Sequence, residues 1–265
     1  MVEKLARAHI HVLKEKPFAT NLEEAARIHS IVEDTGIKML ITLQRRYNPI
    51  FQAFQQLRSK IGRVFYFNSQ YTLNVKDLDN GWRAHKDKAG GGCLIDMGYH
   101  SVDLLMWYFG LPKSVQAHLS HLNREGQTYN VEDTCSLAFD YGTQNGDETR
   151  LFGNMLVSRV FPKKEEKLTV LGTRGSVEIE RMRAARLDTD GKVLEELTRG
   201  GEWRAAFVDQ INTFARWIRG SIPEASPAYA EHFKHVAVIE AAYLSDQRHE
   251  QVSPAELLSS HHIHV

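Results

Sequence analysis

Between Gly90 and Trp107 the chain reads GGGCLIDMGYHSVDLLMW, its densest run of groups able to do chemistry. On a helix, Asp96, His100, Asp103 and Trp107 stand at i, i+4, i+7 and i+11, so the spacing predicts one face presenting acid, imidazole, acid and indole. Ile95, Val102, Leu105, Met106 and Phe109 fall on a different, apolar face that can pack on a core. A carboxylate one turn from a histidine can fix its tautomer and keep its pKa near neutrality, as a general base requires. The plainer reading is a partly exposed histidine with a helical ion-pair neighbour, and spacing alone favours it. His100 with Asp96 or Asp103 lacks a third ligand nearby, so no metal site is expected. Gly90, Gly91 and Gly92 let the backbone approach closely and keep side chains out of a pocket mouth.

The second signal is Glu15-Lys16-Pro17, at the end of a short predicted strand, His11–Lys14. Open α/β sheets place ligands beyond the carboxyl ends of their strands, so a lysine there points toward a crevice. By itself the tripeptide reads equally as a surface lysine before a turn.

The secondary structure around these groups is read from punctuation and period. Asn21 is an N-cap before LEEAARIHSIVEDTG, Glu23 and Glu24 suit the first turn, and Gly36 is a stop. The apolar run IKMLITL suits a strand covered on both faces. Strand, helix and strand in this order predict one right-handed βαβ crossover. Residues 50–61 read as helix, Val64–Leu73 as strand and 93–109 as helix. From Ser114 to about Leu197 successive strands are predicted, with turns at Asp140-Tyr-Gly142, Gly172-Thr-Arg-Gly175 and Asp190-Gly191. Helices at roughly 203–219 and 227–247 close the chain. The expected fold is an α/β remnant of a dinucleotide-binding domain, residues 1–43, joined to an α+β domain, residues 44–265, on a large, mostly antiparallel, open-faced sheet. The KKEEK cluster at 163–167 reads as a solvated loop, and VIEAAYLSD as helix core with a polar face.

Lys plus Arg and Asp plus Glu both number 33, so charge offers no reason to expect nucleic acid or a membrane surface as partner. Two cysteines, Cys93 and Cys135, point to a reducing compartment, and no apolar run is long enough for a signal peptide or span, so a cytoplasmic location is expected. The histidines of the terminal HHIHV read as a solvated tail.

Taken together, HVLKEKPFATNLEEA, QRRYNP, IGRV, GWR followed by AGGGCLIDMGYHSVDLLMWYFG, LTVLGTRGSVEI and HVAVIEAAYLSDQRHEQV resemble the glucose-fructose oxidoreductase, inositol dehydrogenase and rhizopine catabolism family (Gfo/Idh/MocA), in order and spacing over nearly the whole chain. The resemblance implies an NAD- or NADP-dependent oxidoreductase acting on a secondary hydroxyl of a sugar or polyol. It implies that Glu15, Lys16 and Pro17 meet the cofactor, and that Lys16 polarises the reacting oxygen. His100 is then the general base, and Asp96 orients the substrate or the imidazole. Arg46, Trp82, Arg83 and Asp103 are the implied substrate-binding residues. A homo-oligomer formed through the open sheet face is a further implication.

The glycine fingerprint G-x-G-x-x-G of the family is absent. The first glycine is Gly36, Ile95 stands where Gly90-Gly91-Gly92 would need a third spaced glycine, and Gly172-Thr-Arg-Gly175 reads as a hairpin. The expectation is therefore a dinucleotide domain short of about 80 residues, at about 30 per βαβ unit. Such a chain should expose strand edges and bind NAD(H) or NADP(H) weakly. The alternative is a non-enzymatic sugar-sensing or regulatory protein on the same fold.

Overall fold

The computed structural model describes residues 1–143, 148–198 and 203–263. His264, in the terminal histidine tail, lies outside them. The chain opens with α1 (Val2–Arg7), then β1 (Val12–Lys14), α2 (Leu22–Thr35) and β2 (Met39–Ile41). Asn21 Oδ1 accepts the Glu24 N–H at 2.8 Å, satisfying one of the donors a helix start leaves over. Gly36 ends α2 at φ 64°, a left-handed conformation that costs glycine nothing. Leu22, Ala25, Ile28 and Val32 supply the buried stripe, and β1 and β2 pair in parallel across the crossover.

Pro49 starts α3 (Pro49–Leu57), capped by Asn48, whose side chain accepts the Ile50 N–H at 2.9 Å. Next come β3 (Val64–Asn74), α4 (Lys86–Ala89), a π turn (Leu94–Gly98) and α5 (Tyr99–Phe109). The strands β4 (Ser114–Ser120), β5 (Thr134–Thr143), β6 (Arg150–Ser158), β7 (Val160–Gly172), β8 (Gly175–Glu180), β9 (Arg183–Leu187) and β10 (Val193–Thr198) precede α6 (Trp203–Ile218), α7 (His232–Arg248) and α8 (Pro254–Ser260). The large sheet has the order β10-β9-β8-β7-β3-β6-β5-β4, and only β3 with β6 runs parallel. The mostly antiparallel sheet is thus as expected.

One apolar core joins the β1–α2–β2 unit to α5, α7 and the covered face of the sheet. Phe18, just after the Lys16 loop, packs its ring on Tyr229 and Phe233. At the sheet edge, Ser245 and Asp246 of α7 accept the Ala117 and Leu119 N–H groups of β4, so a helix covers donors that would otherwise invite another strand. Along β6, Leu151, Gly153 and Met155 are buried while Arg150, Phe152 and Asn154 are exposed, so the opposite sheet face is open. No helix among the described residues is long and apolar enough to cross a membrane.

Three expectations need correction. The helix placed from 227 begins at His232, because Glu231 turns back to accept the Ala228 N–H and the Ser226 hydroxyl. KKEEK is not a solvated loop but part of β7, where alternate side chains face opposite sides. Glu166 thereby meets Arg45 at 2.5 Å, and both are buried or nearly so. Helix α8 had no counterpart in the sequence reading, although Ser253-Pro254-Ala255-Glu256 carries an N-cap, an N1 proline and an acid at N3.

Candidate active site

Strand β1 ends at Lys14, and the next three residues turn onto the start of the π turn. Lys16 Nζ donates to both the backbone oxygen and Oδ1 of Asp96, each at 2.5 Å. The Lys16–Pro17 peptide is cis. Two further bonds fix this loop: Lys14 Nζ donates to the Pro17 oxygen at 2.5 Å, and the Phe18 N–H donates to Tyr99 Oη at 3.3 Å. Tyr99 Oη in turn pairs with His232 Nδ1 at 2.9 Å.

Around the other Asp96 oxygen stand two arginines. Arg159 Nη2 donates to Oδ2 at 2.8 Å, and Arg83 Nε lies 3.6 Å from it. Burial by itself pushes the Asp96 carboxyl up, but Lys16 first, then Arg159 and Arg83, outweigh it and hold the group below the usual aspartate range. These residues wall a cavity of about 660 Å³, closed on its apolar sides by Val12, Leu13, Pro17 and Ile95. Glu15 and Trp82 also line it. A cleft of that size with few convergent polar groups suits a small organic ligand.

The glycines ahead of Asp96 work as clamped backbone. Glu132 accepts the Gly92 N–H at 2.8 Å, the Leu94 N–H at 3.0 Å and the Tyr243 hydroxyl at 3.0 Å. A Cβ on Gly92 would lie 1.9 Å from the Glu132 carbonyl oxygen, and one on Gly91 1.9 Å from Tyr243 Oη. The Tyr243 hydroxyl sits on a movable side chain, whereas the Glu132 oxygen is backbone. Gly92→Ala is therefore expected to cost about 1–3 kcal/mol or more by overpacking, read as a lower urea midpoint. A variant as stable as the parent would show that the clamp relaxes freely.

His100 follows Asp96 through the π turn. It is half-buried, and its Nδ1 is buried with no hydrogen-bond partner among the described residues. Burial, then Arg45 and Lys16, push its pKa well below the ordinary histidine value, so the ring is neutral at pH 7. His100 is not among the residues lining the cavity.

The expected shared face of Asp96, His100, Asp103 and Trp107 is not what forms. Nearly every residue of α5 is buried, so it is an interior helix and not an amphipathic one. Asp103 is 0% exposed, and its Oδ1 accepts Arg46 Nη2 at 2.6 Å, Arg46 Nε at 2.9 Å and His235 Nε2 at 2.9 Å. Arg46 also donates to Glu231 at 2.7 Å. Asp103 and Arg46 neutralise each other inside the core and do not line the cavity, which corrects their expected place at the substrate. Burial pushes the Asp103 carboxyl up, but Arg46 and then His235 bring it far below the usual range. Of the other expected residues, Glu15, Lys16, Pro17, Trp82, Arg83 and Asp96 do come together.

Residues 53–178 match the GFO/IDH/MocA C-terminal domain. That stretch, just under half of the chain, is where the likeness to the Gfo/Idh/MocA family is carried by a family model. The chain is 25% identical over 260 residues to a scyllo-inositol 2-dehydrogenase (NADP(+)) of Bacillus subtilis, covering 89% of this chain and 70% of that protein. To an uncharacterized oxidoreductase of Schizosaccharomyces pombe it is 27% identical over 180 residues, 66% of this chain and 48% of that one. The chain thus spans about half the length of that relative. A solved levoglucosan dehydrogenase in complex with NADH and levoglucosan superposes with a TM-score of 0.80 at 19% identity, over 95% of this chain and 75% of that one.

Sequence reasoning missed Arg159, Glu132 and Arg45. Arg159, 5% exposed, sits where β6 passes into β7, some sixty residues from the acid it binds. Nothing local marks such a residue; only the β5–β6–β7 register brings it there. The acid response is set by the buried histidines. Burial lowers both His100 and His232 well below 6.5, so below that pH the unfolded chain takes up protons that the folded chain refuses. Stability is expected to fall as pH drops below 6.5, before the depressed carboxyls of Asp96 and Asp103 titrate. A melting temperature unchanged between pH 7 and pH 5 would contradict this.

Proposed function

We propose that this site oxidises a secondary hydroxyl of a sugar, polyol or related compound, with NAD or NADP as the redox partner. The observation that supports this most is the Lys16–Asp96 pair at the carboxyl end of β1, set in the wall of a cavity of about 660 Å³. The dehydrogenase names of its relatives agree with it.

The residues present fit the nicotinamide end of such a cofactor: Val12, Leu13 and Pro17 give an apolar wall, and Glu15 and Lys16 stand at its polar edge. When bound, the cofactor supplies the acceptor for the hydride. The protein's own part is proton handling and orientation. Lys16, with two of its three N–H donors spent on Asp96, turns the third to the substrate oxygen and stabilises the negative charge that develops there. Asp96 holds that ammonium in place. His100, neutral at pH 7 and set behind the cavity wall, takes the hydroxyl proton through one intervening water. The acid limb of kcat/KM for polyol oxidation is therefore expected below pH 6.5 and is lost in His100→Asn. A parental pH profile in that variant would remove His100 from the mechanism.

The wall of Val12, Leu13 and Pro17 matches the nicotinamide half of the cofactor, and no G-x-G-x-x-G turn occurs in these 265 residues. Calorimetry is expected to give NADPH a dissociation constant of about 1 mM, matched within a few-fold by reduced nicotinamide mononucleotide. Much tighter NADPH binding would show that an adenosine site exists after all. The open sheet face, where the Phe152 ring meets Tyr66 edge to face and is 46% exposed, is the proposed contact with a second copy. A cytoplasmic location is part of the proposal; Cys93 and Cys135 are buried free thiols whose sulfurs lie 3.8 Å apart.

A further inference from the structure

We propose that the substrate is a sugar acid, whose carboxylate completes the charge cluster of Lys16, Arg83 and Arg159 around Asp96. This deepens the oxidoreductase reading above and rests on it.

Three cations share one carboxylate here: Lys16 at 2.5 Å, Arg159 at 2.8 Å and Arg83 at 3.6 Å. Across the cavity wall the ionisable side chains are Lys14, Lys16, Arg83 and Arg159 against Glu15 and Asp96. Lys14 is committed to the loop backbone, on the Glu15 and Pro17 oxygens. Asp96 is fully engaged, with Oδ1 taken by Lys16 and Oδ2 by Arg159. The donors left over point to a missing acceptor. Arg159 uses Nη2 for Asp96 and for the Gly92 oxygen at 3.1 Å, and among the described residues its guanidinium Nε and Nη1 have no hydrogen bond. Arg83 makes no hydrogen bond among them at all; it stacks on the Trp82 ring, 4.3 Å from the centroid.

Charges in a cleft with apolar walls are screened less than charges on an open surface, so an uncompensated excess there favours anions over neutral molecules. A guanidinium with free N–H groups is the shape that a carboxylate matches with two parallel bonds. Trp82, 51% exposed beside Arg83 in the same wall, gives a flat apolar surface for the carbon face of a sugar ring while the carboxylate reaches the guanidinium. The substrate hydroxyl then meets Lys16 from the same cavity. An anion could equally belong to a cofactor phosphate, so the test separates the two sources.

The 265-residue chain is titrated calorimetrically at low salt with D-glucuronate, D-galacturonate and D-gluconate, each beside its neutral counterpart D-glucose, D-galactose or D-glucitol. At least one acid is expected to bind about ten-fold or more tighter than its neutral counterpart, and raised salt should erode that preference. Arg83→Gln, at an exposed side chain without a hydrogen bond, should fold normally and reduce the preference by about three- to ten-fold. Inorganic pyrophosphate should compete less well than the acid. The proposal is overturned if no acid outbinds its counterpart, or if Arg83→Gln leaves the preference intact. It is also overturned if pyrophosphate binds more tightly than any acid and loses that affinity in Arg83→Gln, which assigns the cluster to a phosphate. Acid-selective binding without coenzyme reduction keeps the acid site and sinks the oxidoreductase reading. Reduction with neutral polyols and no acid preference does the reverse.

Discussion

Lys16→Ala is expected to lower polyol-dependent kcat by about 10²–10³-fold at saturating coenzyme, the range for losing one donor to a developing oxyanion. The side chain is 14% exposed and stands at the cavity wall, so its removal opens space toward the cavity and leaves the core intact. Asp96 keeps Arg159 and Arg83, and so remains ionised and anchored to the Gly92 backbone through Arg159. The loss should therefore appear mainly in kcat, with little change in melting temperature. Lys16→Arg should not restore the rate, because a planar guanidinium cannot bond the Asp96 backbone oxygen, its carboxylate and a substrate oxygen from one nitrogen. Steady-state kinetics and a thermal melt on the same preparations check this. A kcat within two- or three-fold of the parent would mean that Lys16 is only a strut for the loop.

Asp103→Ala is expected to act on stability instead, by about 3–5 kcal/mol, the cost of leaving a buried charge without its partner. Arg46 keeps Glu231, whose side chain is 41% exposed, but loses both of its bonds to Asp103. His235 Nε2 loses its acceptor as well. Removing both charges, as in Asp103→Leu with Arg46→Met, should recover part of the loss, since an apolar pair leaves nothing unpaired. Urea unfolding of the two variants measures this. A loss below about 1 kcal/mol for Asp103→Ala, together with a raised KM, would return Asp103 to the substrate side, against its placement in the core.

The two cases show where the sequence was legible. Asn21 and Gly36 mark their helix ends by local chemistry, and a cap acts within a few residues of itself, so these boundaries could be read directly. The glycine run was also readable as a close approach, although that Glu132 is the group approached was not. Asp103 misled because helical spacing tells which residues share a face, not whether that face meets water or another helix. What decides is α7, which brings His235 against it from more than a hundred residues away. Arg46 was found in its family block but given the wrong task for the same reason. Glu166 misled because the charge-rich KKEEK run resembles a loop in composition, and only pairing of β7 with β3 turns alternate members inward. Arg159 was silent altogether: a single arginine between two strands has no local signature, and strand register places it at Asp96.

The π turn at Leu94–Gly98 links this to function. A wider turn rotates the later residues relative to a regular helix, so Asp96 can face the cavity while Asp103, later in the same segment, faces the core. One chemical motif is thereby divided into a cavity group and a structural one.

Whether a substrate carbon gives up its hydride in the cavity between β1 and Asp96 is decided by isotope transfer. The chain is incubated with millimolar NADP or NAD and a panel of sugars, sugar acids and polyols carrying deuterium on the hydroxyl-bearing carbons, and the coenzyme is weighed by mass spectrometry. Enzyme-dependent deuterium is expected in the reduced coenzyme with at least one compound, and it should be abolished in Lys16→Ala. Coenzyme and substrate both bound, as seen by saturation-transfer NMR, with no deuterium in the coenzyme would contradict hydride transfer at this site and leave a sugar-binding protein on an oxidoreductase fold.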